Sequence, residues 1–206
     1  MTDRKVFLVD DEPELRQALS RLLRAEGLDV EAFGSAPEFL ARVDDRCVGC
    51  LVLDLNMPGA SGLELQQQLA ARGAQLGIVF LTGHGDIPTS VRAIKAGALD
   101  FLTKPVKRAD LLRAVHVALG HALEQRDAAA AVAGLRSRYA QLTPREREVF
   151  THVIAGKLNK VIAADLGTTE QTIKVHRARV MEKLDVGSVA DLVRLAQQLG
   201  VSPVGG

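Results

Sequence analysis

Five residues in the first half of the chain have side chains and positions suited to phosphoryl chemistry: Asp10, Asp11, Asp54, Thr82 and Lys104. Each follows a short apolar run. Val6 to Val9 leads into the two adjacent aspartates, Leu51 to Leu53 into Asp54, Ile78 to Leu81 into Thr82, and Asp100 to Thr103 into Lys104. In an open α/β sheet, reactive groups gather just beyond the carboxyl ends of the strands. One rim would then carry three carboxylates, a hydroxyl and an ammonium. Crowded carboxylates repel unless a cation joins them, and an all-oxygen donor set favours a hard ion, Mg²⁺ or Mn²⁺. A carboxylate beside such an ion can attack a phosphoryl donor and become an acyl phosphate. Lys104 and Thr82 would meet the phosphoryl oxygens as a point charge and a hydrogen-bond donor. A lone aspartate at a strand end is usually a cap or turn residue; it is the convergence of five groups that points to a site.

The elements that must position these groups alternate. Pro13 opens a helical pattern carried by Leu15, Leu19, Leu22 and Leu23 and ended by Gly27. Asp29 to Phe33 reads as a strand and Ala36 to Val43 as a short helix begun by Ser35 and Pro37. The Asp54 strand is followed by a helix from about Gly62 to Ala71, the Thr82 strand by one from Pro88 to Ala96, and the last strand by one starting near Lys107. Five such units predict an α/β, doubly wound, five-stranded parallel sheet with helices on both faces. Strands buried on both sides must be apolar throughout, as these runs are.

The 206 residues suffice for two small domains, and 47% apolar with 25% charged residues is the composition of a globular protein. No apolar run approaches the ~20 residues of a membrane span, and the N-terminus has no signal-peptide core, so the expected location is cytoplasmic, with no membrane partner. Residues 1–125 carry 14 Lys+Arg and 17 Asp+Glu, a net −3, whereas residues 126–206 carry 12 and 8, a net +4. That asymmetry suggests a metal or phosphate site in front and a polyanion partner behind. Cys47 and Cys50 form a C-x-x-C with no second ligand pair, and are expected to be plain thiols in a reducing compartment.

From Asp110 a helical pattern continues through Leu123 into the alanine-rich stretch 128–133, which predicts a helical spacer. Unbroken to Tyr139 it would span about 45 Å at ~1.5 Å per residue, with Gly134 a place for a break or kink. Beyond it, Thr143, Pro144 and Glu146 form an N-cap, a first-turn proline and a capping box. Val149, Val153 and Ile154 give that helix its inward face and Gly156 its stop. A short helix, Asn159 to Leu166, turns at Gly167 into a third helix capped by Thr169 and reaching Leu184, and Ser188 caps a fourth. Two short helices meeting at a glycine turn predict an all-α four-helix module containing a helix-turn-helix. On the third helix Ile173, Val180 and Leu184 face inward, with His176 a partly buried core residue. The outward face is basic but has small and apolar members, as suits a helix in a major groove.

Asp10-Asp11, Asp54-x-x-Met57-Pro58-Gly59, Thr82 and Lys104-Pro105 resemble the signature of two-component receiver domains, over residues 3–123. The runs Phe80 to Pro88 and Ala96 to Pro105 look like the NarL/FixJ-type branch. Leu142-Thr143-x-Arg145-Glu146-x-Glu148-Val149, Asn159-Lys160-x-Ile162-Ala163 and Thr172-Ile173-Lys174-Val175-His176 resemble the LuxR-type DNA-binding domain, over 141–201, which leaves 124–140 as a helical linker. Val161 departs from the glutamate common in that family. The resemblance implies a flavodoxin-like receiver with Asp54 as phosphoacceptor. It implies Mg²⁺ held by Asp11, Asp54 and the backbone carbonyl of Asn56, with Asp10 helping through water. It also implies a cis Lys104–Pro105 bond and Phe101 at an aromatic switch position. Phosphorylation would draw Thr82 inward, the following loop and the Phe101 rotamer would respond, and helix 87–96 with strand 100–103 would present a new surface. Together with the geometry it places Lys174, Val175 and Ala178 at base edges, and Lys160, Thr172, Arg177 and Arg179 at phosphates.

The implied partners are a sensor histidine kinase, promoter DNA, RNA polymerase and, when phosphorylated, a second copy of the chain. The expectation is a phosphorylation-activated transcription factor rather than chiefly an enzyme. A Mg²⁺-dependent phosphohydrolase with Asp54 as nucleophile, or a DNA binder whose receiver only dimerises, are the alternatives.

Overall fold

A computed structural model describes residues 5–44, 47–59, 61–83, 94 and 96–205. The chain falls into two compact units, Met1–Asp127 and Ala128–Gly206.

In the first unit, β1 (Lys5–Val9), β2 (Asp29–Phe33), β3 (Val48–Asp54), β4 (Gln75–Thr82) and β5 (Asp100–Thr103) form one parallel sheet in the order β2-β1-β3-β4-β5. Alternate side chains along each strand enter different cores. Val6, Leu8, Val52, Val79 and Leu81 join Leu19 and Leu23 of α1 (Pro13–Ala25). Phe7, Leu51, Leu53 and Phe80 join Phe39 of α2 (Ala36–Arg42) and Leu65 and Leu69 of α3 (Gly62–Arg72). Helix α4 (Arg108–Ala140) supplies Leu111, Val115 and Ala118 to the first of these cores. The expected doubly wound sheet is therefore present; β1, β3 and β4 are buried on both sides, whereas the edge strand β2 alternates and β5 is only partly buried. Apart from Ile94 and Ala96, the helix expected over 88–96 lies outside the described residues.

In this unit β4 departs from the sequence reading, and α4 settles a point that reading left open. Strand β4 begins at Gln75 rather than Ile78, because Gln75 and Gly77 interrupt the apolar signal. Gly77 is there for contact: a Cβ at this position would lie 2.3 Å from the Ala118 carbonyl oxygen, where α4 presses on the sheet. Helix α4 also runs through Gly134 without interruption. A glycine in a helix interior costs only about 1 kcal/mol, and the flanking alanines favour the helix.

The second unit contains α5 (Pro144–Ile154), α6 (Asn159–Asp165), α7 (Glu170–Leu184) and α8 (Val189–Leu199). Thr143 and Glu146 close the expected capping box, and Thr169 and Ser188 cap α7 and α8. Gly167, at φ +62°, makes the turn between α6 and α7. Val149, Phe150, Ile162, Ile173, Val180, Leu184 and Leu192 fill the core, and Leu135 and Tyr139 from the end of α4 pack against it. The Tyr139 and Phe150 rings meet edge to face at 5.4 Å. Phe150 is fully buried whereas Ile154 is only half-buried, so the inward face of α5 is centred closer to the helix start than its sequence pattern suggests.

The Gly77–Ala118 contact leaves no room for a methyl group. Gly77→Ala should lower the stability of the first unit by about 1–3 kcal/mol, the usual cost of overpacking. Urea unfolding followed by far-ultraviolet circular dichroism checks this; a midpoint equal to wild type would show that α4 can withdraw freely.

Candidate functional site

The strand order reverses direction at the β1/β3 boundary, and a crevice opens at the carboxyl ends of the strands at such a reversal. Asp10 lies one residue beyond β1, Asp54 ends β3, Thr82 ends β4 and Lys104 follows β5. The register keeps them level: Val9 pairs with Leu53, Asp54 with Leu81 and Thr82 with Thr103. The Leu55 N–H donates to the Leu81 carbonyl at 2.9 Å, and the Lys104 N–H to the Thr82 carbonyl at 2.7 Å. The Lys104–Pro105 bond is cis. Beneath the rim, Gly62 lets α3 start hard against the strand end, since a Cβ there would lie 2.5 Å from the Asp54 carbonyl oxygen.

Three carboxylates surround one ammonium. Lys104 Nζ lies 2.8 Å from Glu12 Oε1, 2.9 Å from Asp54 Oδ2 and 3.0 Å from Asp10 Oδ2. Asp10 and Asp54 are buried, while the Glu12 side chain is 61% exposed. The other Asp54 oxygen accepts the Asn56 N–H at 3.2 Å, and Asp10 Oδ1 accepts the Glu12 N–H at 2.8 Å. Burial alone would lower the Lys104 pKa, but its hydrogen bonds to Glu12 and Asp54 and its ion pair with Asp10 outweigh this and hold it well above the ordinary lysine value. Burial pushes the Asp10 carboxyl up, and Lys104 and the Glu12 N–H offset this only in part.

The donor set fits a hard divalent ion. Oxygens of Asp10, Glu12 and Asp54 lie within 4.8 Å of one another, and among the described residues a single ammonium, Lys104, pairs with all three. Asp10 Oδ2 is buried with no hydrogen-bond donor among the described residues, and its approach to Lys104 is an ion pair only. Asp11, expected as a ligand, is half-exposed and is not among these three clustered residues, whereas Glu12, at the rim, is. Thr82 is buried, and Phe101 is half-buried with its ring 5.5 Å from that of Phe80. The loop expected to move after Thr82 lies outside the described residues beyond Gly83. Cys47 and Cys50 are free, and burial pushes the Cys50 thiol upward. Neither they nor His176 belong to a metal-capable group among the described residues.

On α6 and α7, Lys160, Lys174, Ala178 and Arg179 are exposed, Val175 is 42% exposed, and Thr172 and Arg177 are half-buried. Thr172 is tied into the cap through Thr169, and Arg177 donates to Asn159 Oδ1 at 3.1 Å across the helix-turn-helix. Lys183 fixes α7 to α5 by donating to Glu146 Oε2 at 2.6 Å.

Residues 6–116 match the family model for the response regulator receiver domain, and residues 140–196 that for bacterial regulatory proteins of the luxR family. The chain is a two-component response regulator with a LuxR-type DNA-binding domain. The regulator is 46% identical to response regulator protein TmoT of Ectopseudomonas mendocina, over 94% of this chain and 88% of that one. Transcriptional regulatory protein FixJ of Rhizobium meliloti is 40% identical over 98% of this chain and 100% of its own. Among solved structures, response regulator StyR is similar with a TM-score of 0.83 at 46% identity, covering 94% of this chain and 98% of that one. Full-length FixJ from B. japonicum has a TM-score of 0.59 at 38% identity, covering 97% and 98%. This combination of domains implies a sensor kinase as partner and DNA as target.

Sequence reasoning missed Glu12 as a member of the pocket. It stands in the acidic run Asp10-Asp11-Glu12, but its place just before a helix suggests a cap rather than a site residue.

The Glu146–Lys183 contact gives the DNA-binding half of the regulator a pH dependence. Although burial alone would raise the Glu146 pKa, Lys183 and the Thr143 backbone N–H hold it below the ordinary value of 4.5. The unfolded chain therefore binds the proton more readily; the stabilisation is complete above that value and lost as pH falls through the depressed folded pKa. Glu146→Gln keeps a side chain able to close the capping box but cannot titrate. Acid titrations of helicity should show wild type losing stability more steeply than the variant as pH falls below 4.5.

Proposed function

We propose that Asp54 accepts a phosphoryl group from the sensor histidine kinase or a small acyl phosphate, and that this modification controls DNA binding by α7. The observation that carries the reading is the Lys104 ammonium resting on Asp54 Oδ2 at the strand rim. During transfer an Asp54 carboxylate oxygen bonds to phosphorus as the donor's bond to phosphorus breaks. The donor leaves as a carboxylate from an acyl phosphate, or as the neutral imidazole from a phosphohistidine. The Asn56 N–H steadies the carboxylate, and Lys104 supplies positive charge where the phosphoryl oxygens arrive.

Asp10, Asp11, Asp54 and the Asn56 carbonyl are the residues that would hold Mg²⁺ or Mn²⁺. Bound there, the ion would neutralise charge on the transferring phosphoryl group. Thr82 then donates its hydroxyl to the new oxygens and Phe101 repacks, changing the face that β5 presents. This is a local charge event biasing a two-state element.

In this reading residues 3–123 receive the signal, 124–140 link, and 141–201 bind DNA in the cytoplasm. Lys174, Val175 and Ala178 read base edges, while Lys160, Thr172, Arg177 and Arg179 hold phosphates. One small module covers little DNA, so the phosphorylated regulator binds two half-sites as a homodimer and acts on RNA polymerase there. Its chemistry is confined to assisting its own phosphorylation and dephosphorylation.

Acetyl phosphate with Mg²⁺ should label wild type at one site, found by mass spectrometry at Asp54, and tighten operator binding. Asp54→Asn should take no label and show no change in DNA affinity on treatment. Label at Asp54 that turns over without altering DNA binding would instead favour a phosphohydrolase.

The two classes of DNA contact should separate by salt. Lys160→Ala should weaken binding to all sequences and reduce the salt slope by about 0.9. Lys174→Ala should cost about 1–3 kcal/mol of discrimination at one base position. Footprinting at several salt concentrations with matched and mutated sites measures both.

A further inference from the structure

Glu12 has no structural duty that explains its side chain. It occupies the N-cap of α1, a position that ordinarily uses a short side chain to accept a helix N–H, yet it makes no side-chain cap hydrogen bond. Its backbone fixes it in place: its N–H donates to Asp10 Oδ1 and its carbonyl accepts the Arg16 N–H at 3.0 Å. The carboxylate reaches instead across the rim to Lys104 Nζ, at 2.8 Å the shortest of the three contacts to that ammonium. Its two companions are buried, whereas Glu12 approaches from solvent. The ammonium thus has an external holder as well as the internal carboxylates on which it acts.

We infer that Glu12 is a positioning residue that holds Lys104 over Asp54 before phosphorylation and competes with the incoming phosphoryl group for that ammonium. This rests on Asp54 being the phosphoacceptor. Two consequences follow from charge alone. The lysine must give up or share its contact with Glu12 to meet phosphoryl oxygens, and an incoming phosphoryl group is repelled by a carboxylate at the solvent side of the rim. Glu12 therefore disfavours the modified state relative to the resting one. Because Ser, Thr and Asp cap helices with their side chains and Glu12 does not, replacing it should leave α1 intact.

The test uses the full chain as wild type, Glu12→Gln and Glu12→Asp. The Lys104 ammonium is followed by nitrogen-15 NMR, phosphorylation by acetyl phosphate at saturating Mg²⁺, and Mg²⁺ affinity by calorimetry. Glu12→Gln should make the Lys104 ammonium protons exchange faster with water and raise the phosphorylation rate about two- to fivefold, the range of a partly exposed ion pair. Glu12→Asp retains the charge but draws it back by one methylene, so it should loosen the ammonium with a smaller gain in rate. Mg²⁺ affinity should stay within about threefold. An unchanged ammonium signal, or a rate equal to or below wild type, overturns the inference. A fall in Mg²⁺ affinity of roughly tenfold or more, the scale on which metal sites respond to losing a supporting group, also overturns it by making Glu12 a ligand. Wild type that takes no label at Asp54 sinks the phosphoacceptor reading and with it the competition, whereas the ammonium signal separately decides whether Glu12 holds the lysine.

Discussion

One ammonium set among three carboxylates is the constraint on which the receiver half depends. Two of those carboxylates are buried, and a buried charge is tolerated only when it is paired. Lys104 provides the pairing for both, so its place after β5 ties the edge of the sheet to its centre. The close approach of Gly62 to the Asp54 carbonyl serves the same end from below, since it lets α3 brace the strand that ends in Asp54. Among the described residues one ammonium pairs with three carboxylates. In the proposed function, that excess of negative charge would let the pocket take up a cation.

The DNA-binding half follows a different logic. Its four short helices would be marginal alone, and are held by one apolar core together with caps at Thr143, Thr169 and Ser188. Glu146 serves twice, closing the cap of α5 and receiving Lys183 from α7. The helix proposed to face DNA is therefore oriented by a polar contact as well as by packing.

Much of this was legible in the sequence because it depends on local signals. Strands buried on both faces must be solidly apolar, and residues such as Asp54 and Thr82 at their ends stand out against that background. Capping residues mark helix starts equally well, as Thr143 and Glu146 show. What could not be read depends on contacts between distant residues. Nothing near Gly77 announces that a helix forty residues later will rest on it, so the beginning of β4 was hidden. Glu12 looked like a helix-start acid because its partner lies 92 positions away. Phe150 was passed over because a helical pattern shows which face is apolar but not how deeply each residue sinks.

The hydrogen bond from Arg177 to Asn159 has a consequence for binding thermodynamics. A guanidinium already immobilised in the free protein would surrender little rotamer entropy if it met a polyanion, whereas the exposed Lys160 and Arg179 would have to be frozen in the proposed contacts. Preorganised and flexible cations on one surface would thus contribute similar charge but unequal entropy. Their relative importance would change with temperature even while the salt dependence stayed the same.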